Sequence, residues 1–335
     1  MKKTALTYDD IQLIPSYSEI ESRKNIDLST YVSKRYKIKI PFVAAPMDTV
    51  CEEEMAIKLG QMGGVGCIHR FMSIESQVEM VQNVISQIPN DSIVMAAVGA
   101  NGDYHERAVE LVVAGAKIIL IDVAHGHHKN VKEAIKRIKL IDPSVDVIAG
   151  NIATRKAAED LTEWGADGLR VGIGGGSLCT TRIKTGFGIP NVSSLLEIVP
   201  YSMVPVIADG GIRTSGDISK ALAVGASSVM LGSLLAGTSE SPGSVIEKPN
   251  GLYKRYRGAA SLETKMTHGQ EQRNVEGEST VIPYKGGVKY VIEGLLDGVR
   301  SALSYAGSND LSTYYPDYVL VTNAGQNEAK PHLLY

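Results

Sequence analysis

Short apolar runs recur along the chain, and most of them end at Gly, Pro, Asp or Asn. Runs that are apolar throughout are typical of strands buried on both faces of a parallel sheet. Segments with helical periodicity lie between them, for example at 52–63, 106–116, 130–141, 155–166 and 215–226. The pattern predicts eight βα units, with strands near positions 41, 64, 93, 117, 145, 167, 205 and 227.

Eight units favour a closed (β/α)8 TIM barrel over the alternative, a doubly wound open sheet, which usually has about five or six strands. A length of 335 residues suits one such barrel, and we expect a single catalytic domain over 1–335. In barrels the active site is built from the loops at the carboxyl ends of the strands. Here those loops are polar and rich in glycine, so we expect the active site there.

A polar stretch over about 257–284 follows the eighth predicted strand and has little apolar periodicity. Long loops inside compact domains are usually functional or disordered. We therefore interpret this stretch as a mobile flap over the barrel mouth. The segment after it, 288–307, has a strong helical period and is expected to form the last barrel helix.

Composition restricts the partners and the compartment. The net charge is -3 and no basic block occurs, so we expect a small-molecule partner, no nucleic acid and no membrane. No window approaches the roughly 18 apolar residues of a membrane span, and the first residues lack the apolar run of a secretory signal. The three cysteines have no framework spacing, which indicates a reducing compartment, and a cytoplasmic location is expected.

The sequence GIGGGSLCTT at 172–181 directly follows the sixth predicted strand. Its glycines allow a tight turn that presents backbone groups to a ligand, and Ser177 adds a hydroxyl for a phosphate. Cys179 lies in this loop, where a thiolate can be exposed and stabilised, so it is a candidate nucleophile. A glycine loop with a spectator thiol is the alternative interpretation.

Two further loops resemble halves of a phosphate site. They are the Asp209-Gly210-Gly211-Ile212 segment after the seventh strand and the Gly232-Ser233 pair after the eighth. Barrel phosphate sites are commonly formed by the loops after these two strands, and Asp209 would accept hydrogen bonds from a ribose. Asp-Gly-Gly also forms ordinary turns, so the prediction of a phosphorylated ligand depends on where the two loops lie, after the seventh and eighth strands.

The remaining reactive side chains are less informative. Cys51 and Cys67 are expected to be structural, since they fall at a helix start and within a strand. The histidines of 125–128 lack a carboxylate or cysteine at metal-ligand spacing, and we predict no transition metal. Asp122, at the end of the fourth strand, is better placed to contact a substrate or cofactor.

The glycine loop resembles the active-site loop shared by inosine-monophosphate dehydrogenases and guanosine-monophosphate reductases. The resemblance extends over almost the whole chain. It includes YDDIQLIP at 8, AAPMDTV at 44, DVAHGHH at 122, AGNIAT at 149, IADGGIRTSGDI at 207, MLGSLLAGTSESPG at 230, YRGAAS at 256 and PYKG at 283. It implies a TIM barrel that acts on a purine nucleotide and forms a tetramer.

Residue roles follow from the resemblance position by position. Cys179 is implied as the nucleophile at purine C2, with Thr181 beside the substrate and Glu276 as a catalytic acid or base. Asp122 and Arg273 are the candidate contacts of the nicotinamide cofactor. The implied substrate contacts are Ser177, Asp209, Gly210, Gly211, Gly232, Ser233, Tyr256, Gly258, Ala259 and Ala260.

The resemblance also implies a monovalent cation, K+, held by backbone carbonyls of Gly174, Gly176 and Cys179. Gly175 departs from the family pattern, where proline is frequent, and this difference is expected to loosen the cation loop. The regulatory insert that most of the dehydrogenases carry after the second strand is missing, because the third strand follows soon after His69.

The choice between the two activities depends on the flap. Dehydrogenases of the family activate water with an Arg-Tyr pair, and no Arg-Tyr occurs between Gly258 and Tyr284. The flap instead contains RNVEG at 273–277, which is similar to the reductase pattern with a catalytic glutamate, and YDDIQLIP and IKTGFG are also more similar to reductases. The sequence AGQNEAKPH at 324–332 resembles dehydrogenase tails and favours the other activity.

The resemblance thus implies an NADPH-dependent GMP reductase that converts GMP to IMP and ammonia through a Cys179 adduct. An IMP dehydrogenase without the regulatory insert is the alternative. Two hypotheses from other classes are a nucleotide-binding regulator without turnover and a different phosphate-binding barrel enzyme, such as an isomerase or aldolase. The first conflicts with the presence of Cys179, Thr181 and Glu276, and the second predicts that activity survives Cys179→Ala.

Overall fold

The computed structural model describes residues 4–268 and 275–328. Three short strands precede the barrel: β1 (Ile11–Leu13), β2 (Thr30–Tyr31) and β3 (Lys37–Ile38). Strands β2 and β3 pair as an antiparallel hairpin. This hairpin leads directly into the first barrel strand.

Eight parallel strands form a closed barrel. They are β4 (Phe42–Ala44), β5 (Val65–Ile68), β6 (Met95–Val98), β7 (Ile118–Asp122), β8 (Asp146–Ile152), β9 (Gly168–Val171), β10 (Val206–Asp209) and β11 (Ser228–Leu231). The strands are arranged in chain order, and β11 closes the barrel by pairing with β4. The (β/α)8 barrel predicted from the apolar runs is confirmed.

Helices follow these strands and, apart from the short α6 at the barrel mouth, lie on the outside of the barrel. They are α1 (Glu53–Gln61), α2 (Ile74–Gln87), α3 (Tyr104–Val113), α4 (Lys129–Lys139), α5 (Arg155–Glu163), α6 (Thr181–Thr185), α7 (Asn191–Ile198) and α8 (Ser215–Ala223). Hydroxyls of Ser73, Thr154 and Thr214 accept a backbone N–H at the starts of α2, α5 and α8, which satisfies donors that a helix leaves unpaired there. The five-residue α6 opens at Thr181, directly after the glycine-rich loop.

The apolar side chains form two groups. One fills the barrel interior and includes Val43, Met95, Leu120 and Ile207. The larger group lies between the strands and the surrounding helices. Because neighbouring residues of a strand point to opposite faces, strands with both faces buried must be apolar throughout, as the sequence pattern indicated.

The described residues after the barrel contain more regular secondary structure than the predicted loop. Strands β12 (Ile246–Lys248), β13 (Gly251–Arg257) and β14 (Ser279–Pro283) form an antiparallel sheet, and helix α9 (Leu262–Thr267) lies within the predicted flap. The interpretation of all of 257–284 as a loop was therefore wrong. Sheet pairing with β13 supplies the backbone hydrogen bonds of β14, and the Ser261 hydroxyl caps α9. Arg273 lies outside the described residues.

The last elements complete the outer layer. Helix α10 (Val288–Ala306) packs against α8 and α1, as expected for the final barrel helix. Strand β15 (Tyr318–Leu320) pairs antiparallel with β1, and helix α11 (Asn323–Glu328) follows it. Among the helices of the described segments, none combines the length and the apolar character needed to cross a bilayer.

Candidate active site

A cavity of about 450 Å³ opens at the carboxyl ends of the barrel strands. Its wall includes the glycine-rich loop after β9, the loops after β10 and β11, and the 256–260 and 276–277 segments. The predicted site residues that line it are Asp122, Gly174, Gly176, Ser177, Cys179, Thr181, Asp209, Gly210, Gly211, Gly232, Ser233, Tyr256, Gly258, Ala259, Ala260 and Glu276. Sixteen of the seventeen predicted positions thus share one cavity, and the other is Arg273.

A hydrogen-bonded chain of three side chains lies on one wall. The Cys179 thiol donates to Thr181 Oγ1 over 3.1 Å, and Thr181 Oγ1 donates to Glu276 Oε2 over 2.7 Å. Thr181 is the first residue of α6, so the turn between Cys179 and α6 brings its hydroxyl back toward the thiol. A proton can therefore pass between the carboxylate and the neighbourhood of the sulfur through one hydroxyl.

Backbone pairing places Glu276 at this position. Its N–H donates to Ala260 O over 3.1 Å, and its carbonyl accepts from Thr180 N over 3.0 Å. The next residue, Gly277, forms bridges to both Cys179 and Ser261. A Cβ on Gly277 would lie 3.0 Å from Ser261 N, so only glycine fits between the two neighbouring segments without displacing them. The 276–277 segment is therefore held by backbone contacts on both sides.

The segments after β9 and β11 meet around Tyr256, and the loop after β10 approaches the loop after β9. The Tyr256 hydroxyl lies 2.9 Å from Ser177 Oγ, and burial is the main cause that raises its pKa. Gly210 and Gly211 have φ values of +88° and +78°, a region that other residues adopt only with strain. A Cβ on Gly210 would lie 3.0 Å from the backbone of Gly175, so the β9 and β10 loops approach closely.

A buried arginine connects two of the predicted carboxylates. Arg170 Nη1 lies 2.5 Å from Asp122 Oδ1, and Arg170 Nε lies 2.9 Å from Asp209 Oδ2. Burial opposes the charge on the guanidinium, but the two carboxylates outweigh it and raise the pKa of Arg170. Asn151 Nδ2 also donates to Asp209 Oδ2 and to Gly172 O, each over 2.7 Å.

These two polar residues were absent from the sequence prediction. Arg170 is a charged residue within the otherwise apolar strand β9, and this interruption of the pattern was a usable signal. Asn151 lies near the carboxyl end of β8, the edge at which barrels place their active sites. Arg70 also lines the cavity, with its Nε 3.9 Å from Asp122 Oδ2.

The loop expected to hold a monovalent cation is tightly folded. Gly174 has a φ of +79°, and a Cβ there would lie 2.5 Å from the Arg182 side chain. The Gly176 carbonyl accepts from Cys179 N over 3.1 Å. Carbonyl oxygens are suitable ligands for K+, so the chemistry of the donor set fits the predicted ion.

The other candidate groups lie elsewhere. His127 Nε2 lies 2.8 Å from Asp160 on α5, and the His128 ring accepts a backbone N–H at the start of α4. Within the residues that the structure describes, no group of three His, Cys, Asp or Glu side chains is arranged to hold a metal ion. Cys51 and Cys67 are buried, and burial is the main cause that raises the pKa of each thiol, which disfavours thiolate formation.

Comparison with known proteins assigns this chain to a family. The sequence profile described as the IMP dehydrogenase / GMP reductase domain matches residues 5–332. The chain belongs to the IMP dehydrogenase/GMP reductase family. The inosine-5'-monophosphate dehydrogenase of Cryptosporidium parvum is 39% identical over 382 residues, which cover 98% of this chain and 94% of that protein. The GMP reductase of Leishmania major is 31% identical over 474 residues, with 98% and 96% covered.

A solved member of the family has the same fold. The crystal structure of a GMP reductase variant from Trypanosoma brucei in complex with guanosine 5'-monophosphate aligns with a TM-score of 0.94 at 30% identity. The alignment covers 100% of this chain and 99% of that chain. The chain is therefore a member of an oxidoreductase family whose relatives include enzymes of both names.

Proposed function

We propose that this protein is an NADPH-dependent GMP reductase that converts GMP to IMP and ammonia. The observation that carries the proposal is the Cys179–Thr181–Glu276 chain, in which a flap carboxylate lies one hydroxyl away from the thiol. The proposal is supported by the absence of an Arg-Tyr pair between Gly258 and Tyr284. The similarity to the Trypanosoma GMP reductase in complex with GMP also supports it.

The cavity suits a purine mononucleotide. The phosphate would be bound by Ser177, Tyr256 and backbone N–H groups of the 210–211 and 232–233 segments, all of which line the cavity. Asp209 would accept hydrogen bonds from the ribose hydroxyls, with its carboxylate held by Arg170. The base would then extend toward Cys179 and be contacted by the 258–260 segment.

In the proposed reaction the Cys179 thiolate adds to C2 of GMP and forms a C–S bond. Glu276, through Thr181, supplies a proton to the exocyclic amine, which leaves C2 as ammonia. A bound NADPH supplies the hydride that reduces C2. The C–S bond then breaks, the electron pair returns to the sulfur of Cys179, and IMP is released. Cys179 thus binds C2 covalently, and Glu276 and Thr181 transfer the proton to the leaving amine.

The cofactor would lie on the Asp122 side of the cavity. Asp122 is held by Arg170 and faces the same cavity as Cys179, which places a carboxylate beside the region left open next to the base. We retain Arg273 as a proposed cofactor contact, although it lies outside the described residues. K+ at the 174–179 loop would be held by the carbonyls of Gly174, Gly176 and Cys179.

The proposed enzyme is a single catalytic domain without the regulatory insert and assembles as a homotetramer. Strand β5 ends at Ile68 and α2 begins at Ile74, so residues 69–73 are a short connection. This connection supports the proposal of a chain without an inserted domain at that point.

The second candidate function is an IMP dehydrogenase, which would oxidise IMP to XMP with NAD. It is favoured by relatives with that name, such as the 33% identical protein of Nitrosopumilus maritimus (strain SCM1), matched over 98% of both chains. Both candidates use a Cys179 adduct at purine C2. They differ in whether an amine or a hydride leaves that carbon.

The covalent step can be tested directly. Turnover of GMP with NADPH is quenched in acid, and the peptide that carries Cys179 is analysed by mass spectrometry. We expect a nucleotide adduct that has lost ammonia, and no adduct in Cys179→Ala, which should retain GMP binding. Full turnover by Cys179→Ala would exclude the proposed mechanism.

A further inference from the structure

Asp48 lies in the loop after β4 and connects the barrel to the flap. Its side chain is 2% exposed, and one oxygen, Oδ2, receives all of its described side-chain contacts. Arg257 approaches it with Nε at 3.0 Å and Nη2 at 2.7 Å, and His268 Nε2 lies 2.9 Å away. A buried carboxylate is stable only with such partners, and both of them come from the 257–284 region. We call Asp48, Arg257 and His268 the Asp48 cluster.

The Asp48 cluster and Thr49 hold the chain on both sides of α9. Before the helix, Thr49 Oγ1 accepts from Arg257 N over 3.2 Å and donates to Arg257 O over 3.3 Å. Directly after the helix, the His268 ring packs against Phe71, with ring centroids 5.9 Å apart. His268 is also the last described residue before the 269–274 segment. The barrel thus holds the flap at Arg257 and at His268.

A short path of backbone hydrogen bonds leads from Arg257 to Glu276. Gly258, the next residue, donates to Glu278 O over 2.9 Å, and Glu276 donates to Ala260 O over 3.1 Å. Gly277 fits between them without room for a Cβ. A shift of the 257–260 backbone would therefore move Glu276 away from the hydroxyl of Thr181.

We propose that Asp48 is a positioning residue for the reaction, acting through Arg257 to place Glu276 against Thr181. Asp48 is outside the cavity wall, so it acts without touching the nucleotide. This inference rests on the proposed role of Glu276. It assigns to Asp48 the positioning of a proton-transfer group, in addition to its contribution to the stability of the fold.

A double-mutant cycle tests the inference. Asp48→Asn keeps the size of the side chain and removes its charge, and we expect kcat to fall about 10- to 100-fold because Glu276 is displaced. The KM for the nucleotide should change by no more than about twofold, since the phosphate and ribose contacts lie elsewhere. In an enzyme that already carries Glu276→Gln, Asp48→Asn should cause little further loss. A full additional loss in that background would overturn the proposal.

Amide hydrogen exchange gives a second measurement that does not depend on turnover. In Asp48→Asn, the amides of Glu276 and Glu278 should exchange faster. Their hydrogen bonds to Ala260 O and Leu178 O depend on the position of the 257–260 segment, which Asp48 holds through Arg257. Unchanged exchange at both amides in a folded variant would contradict the proposal. If neither GMP nor IMP is turned over, the proposed function fails. The exchange result still decides whether Asp48 holds the 276–278 segment in place.

Two further variants complete the design. Glu263 contacts the same guanidinium at 3.4 Å from the outside, with a side chain that is 28% exposed, so Glu263→Gln should leave kcat unchanged. If Asp48→Asn does not fold, Arg257→Lys keeps the positive charge beside Asp48 but removes the paired contacts of the guanidinium with Asp48 Oδ2. We expect Arg257→Lys to lower kcat with little change in KM, and wild-type kinetics together with wild-type exchange would contradict the proposal.

Discussion

Glu276 is the residue on which the choice of reaction depends. Its carboxylate lies 2.7 Å from Thr181 Oγ1 and has no direct contact with the thiol among the described interactions. We expect Glu276→Gln to lower kcat for GMP about 100-fold or more, because the leaving amine would lose its proton donor. The KM for GMP should change little.

The control for this variant is Glu247→Gln, which changes an exposed carboxylate on β12, outside the flap. Steady-state kinetics with GMP and NADPH would measure both variants. Wild-type kcat in Glu276→Gln would show that the carboxylate takes no part in proton transfer.

Arg170 is the second residue with a decisive local role. It is the shared partner of Asp122 and Asp209, and its side chain is 10% exposed. Arg170→Met would leave two carboxylates without their guanidinium, which typically costs about 3–5 kcal/mol for a buried pair. We expect a loss of this order in the free energy of unfolding, measured by urea denaturation, and weaker nucleotide binding.

The matched control is Arg155→Met on α5, whose ion pair with Glu159 is exposed on both sides. Exposed pairs contribute little, so this variant should unfold like the wild type. Equal stability of the Arg170 and Arg155 variants would show that the buried network is not required for folding.

The loop after β10 requires glycine at position 210, both for its backbone conformation and for lack of space. Gly210 has a φ of +88° and its missing Cβ would lie 3.0 Å from Gly175 C. Gly210→Ala should strain the loop and separate it from the glycine-rich loop, and we expect the KM for GMP to rise about tenfold. Gly243→Ala is the control, because Gly243 has a φ of +91° with open space around it. An unchanged KM in Gly210→Ala would argue against a phosphate site at this loop.

The elements also show what the sequence could and could not predict. Each of the eight strands was recognisable because both faces of a barrel strand are buried, which makes the run apolar. Strand β14 and helix α9 were missed because most of their residues are exposed or half-buried, so neither shows a clear apolar period. Their structure depends on pairing with β13 and on the Ser261 cap, which are contacts that local composition does not reveal.

At the scale of the whole molecule, closing the barrel brings residues that are distant in sequence into one cavity. The predicted site residues near the ends of β7, β9, β10 and β11 were recognisable from their position, whereas Tyr256 and Glu276 were found by family resemblance. Pairings such as Arg170 with Asp122, or Asp48 with His268, join segments separated by 48 and 220 positions. Such pairings become visible only once the barrel fixes which strand ends are neighbours.

The most direct test of the account follows nicotinamide absorbance in two parallel reactions of the purified protein with potassium present. One reaction contains GMP with NADPH, and the other contains IMP with NAD. We predict oxidation of NADPH with release of one ammonia for each GMP consumed, and no comparable reaction with IMP and NAD. Formation of NADH from IMP, with no reaction of GMP, would contradict the account and identify a dehydrogenase that works without the Arg-Tyr pair.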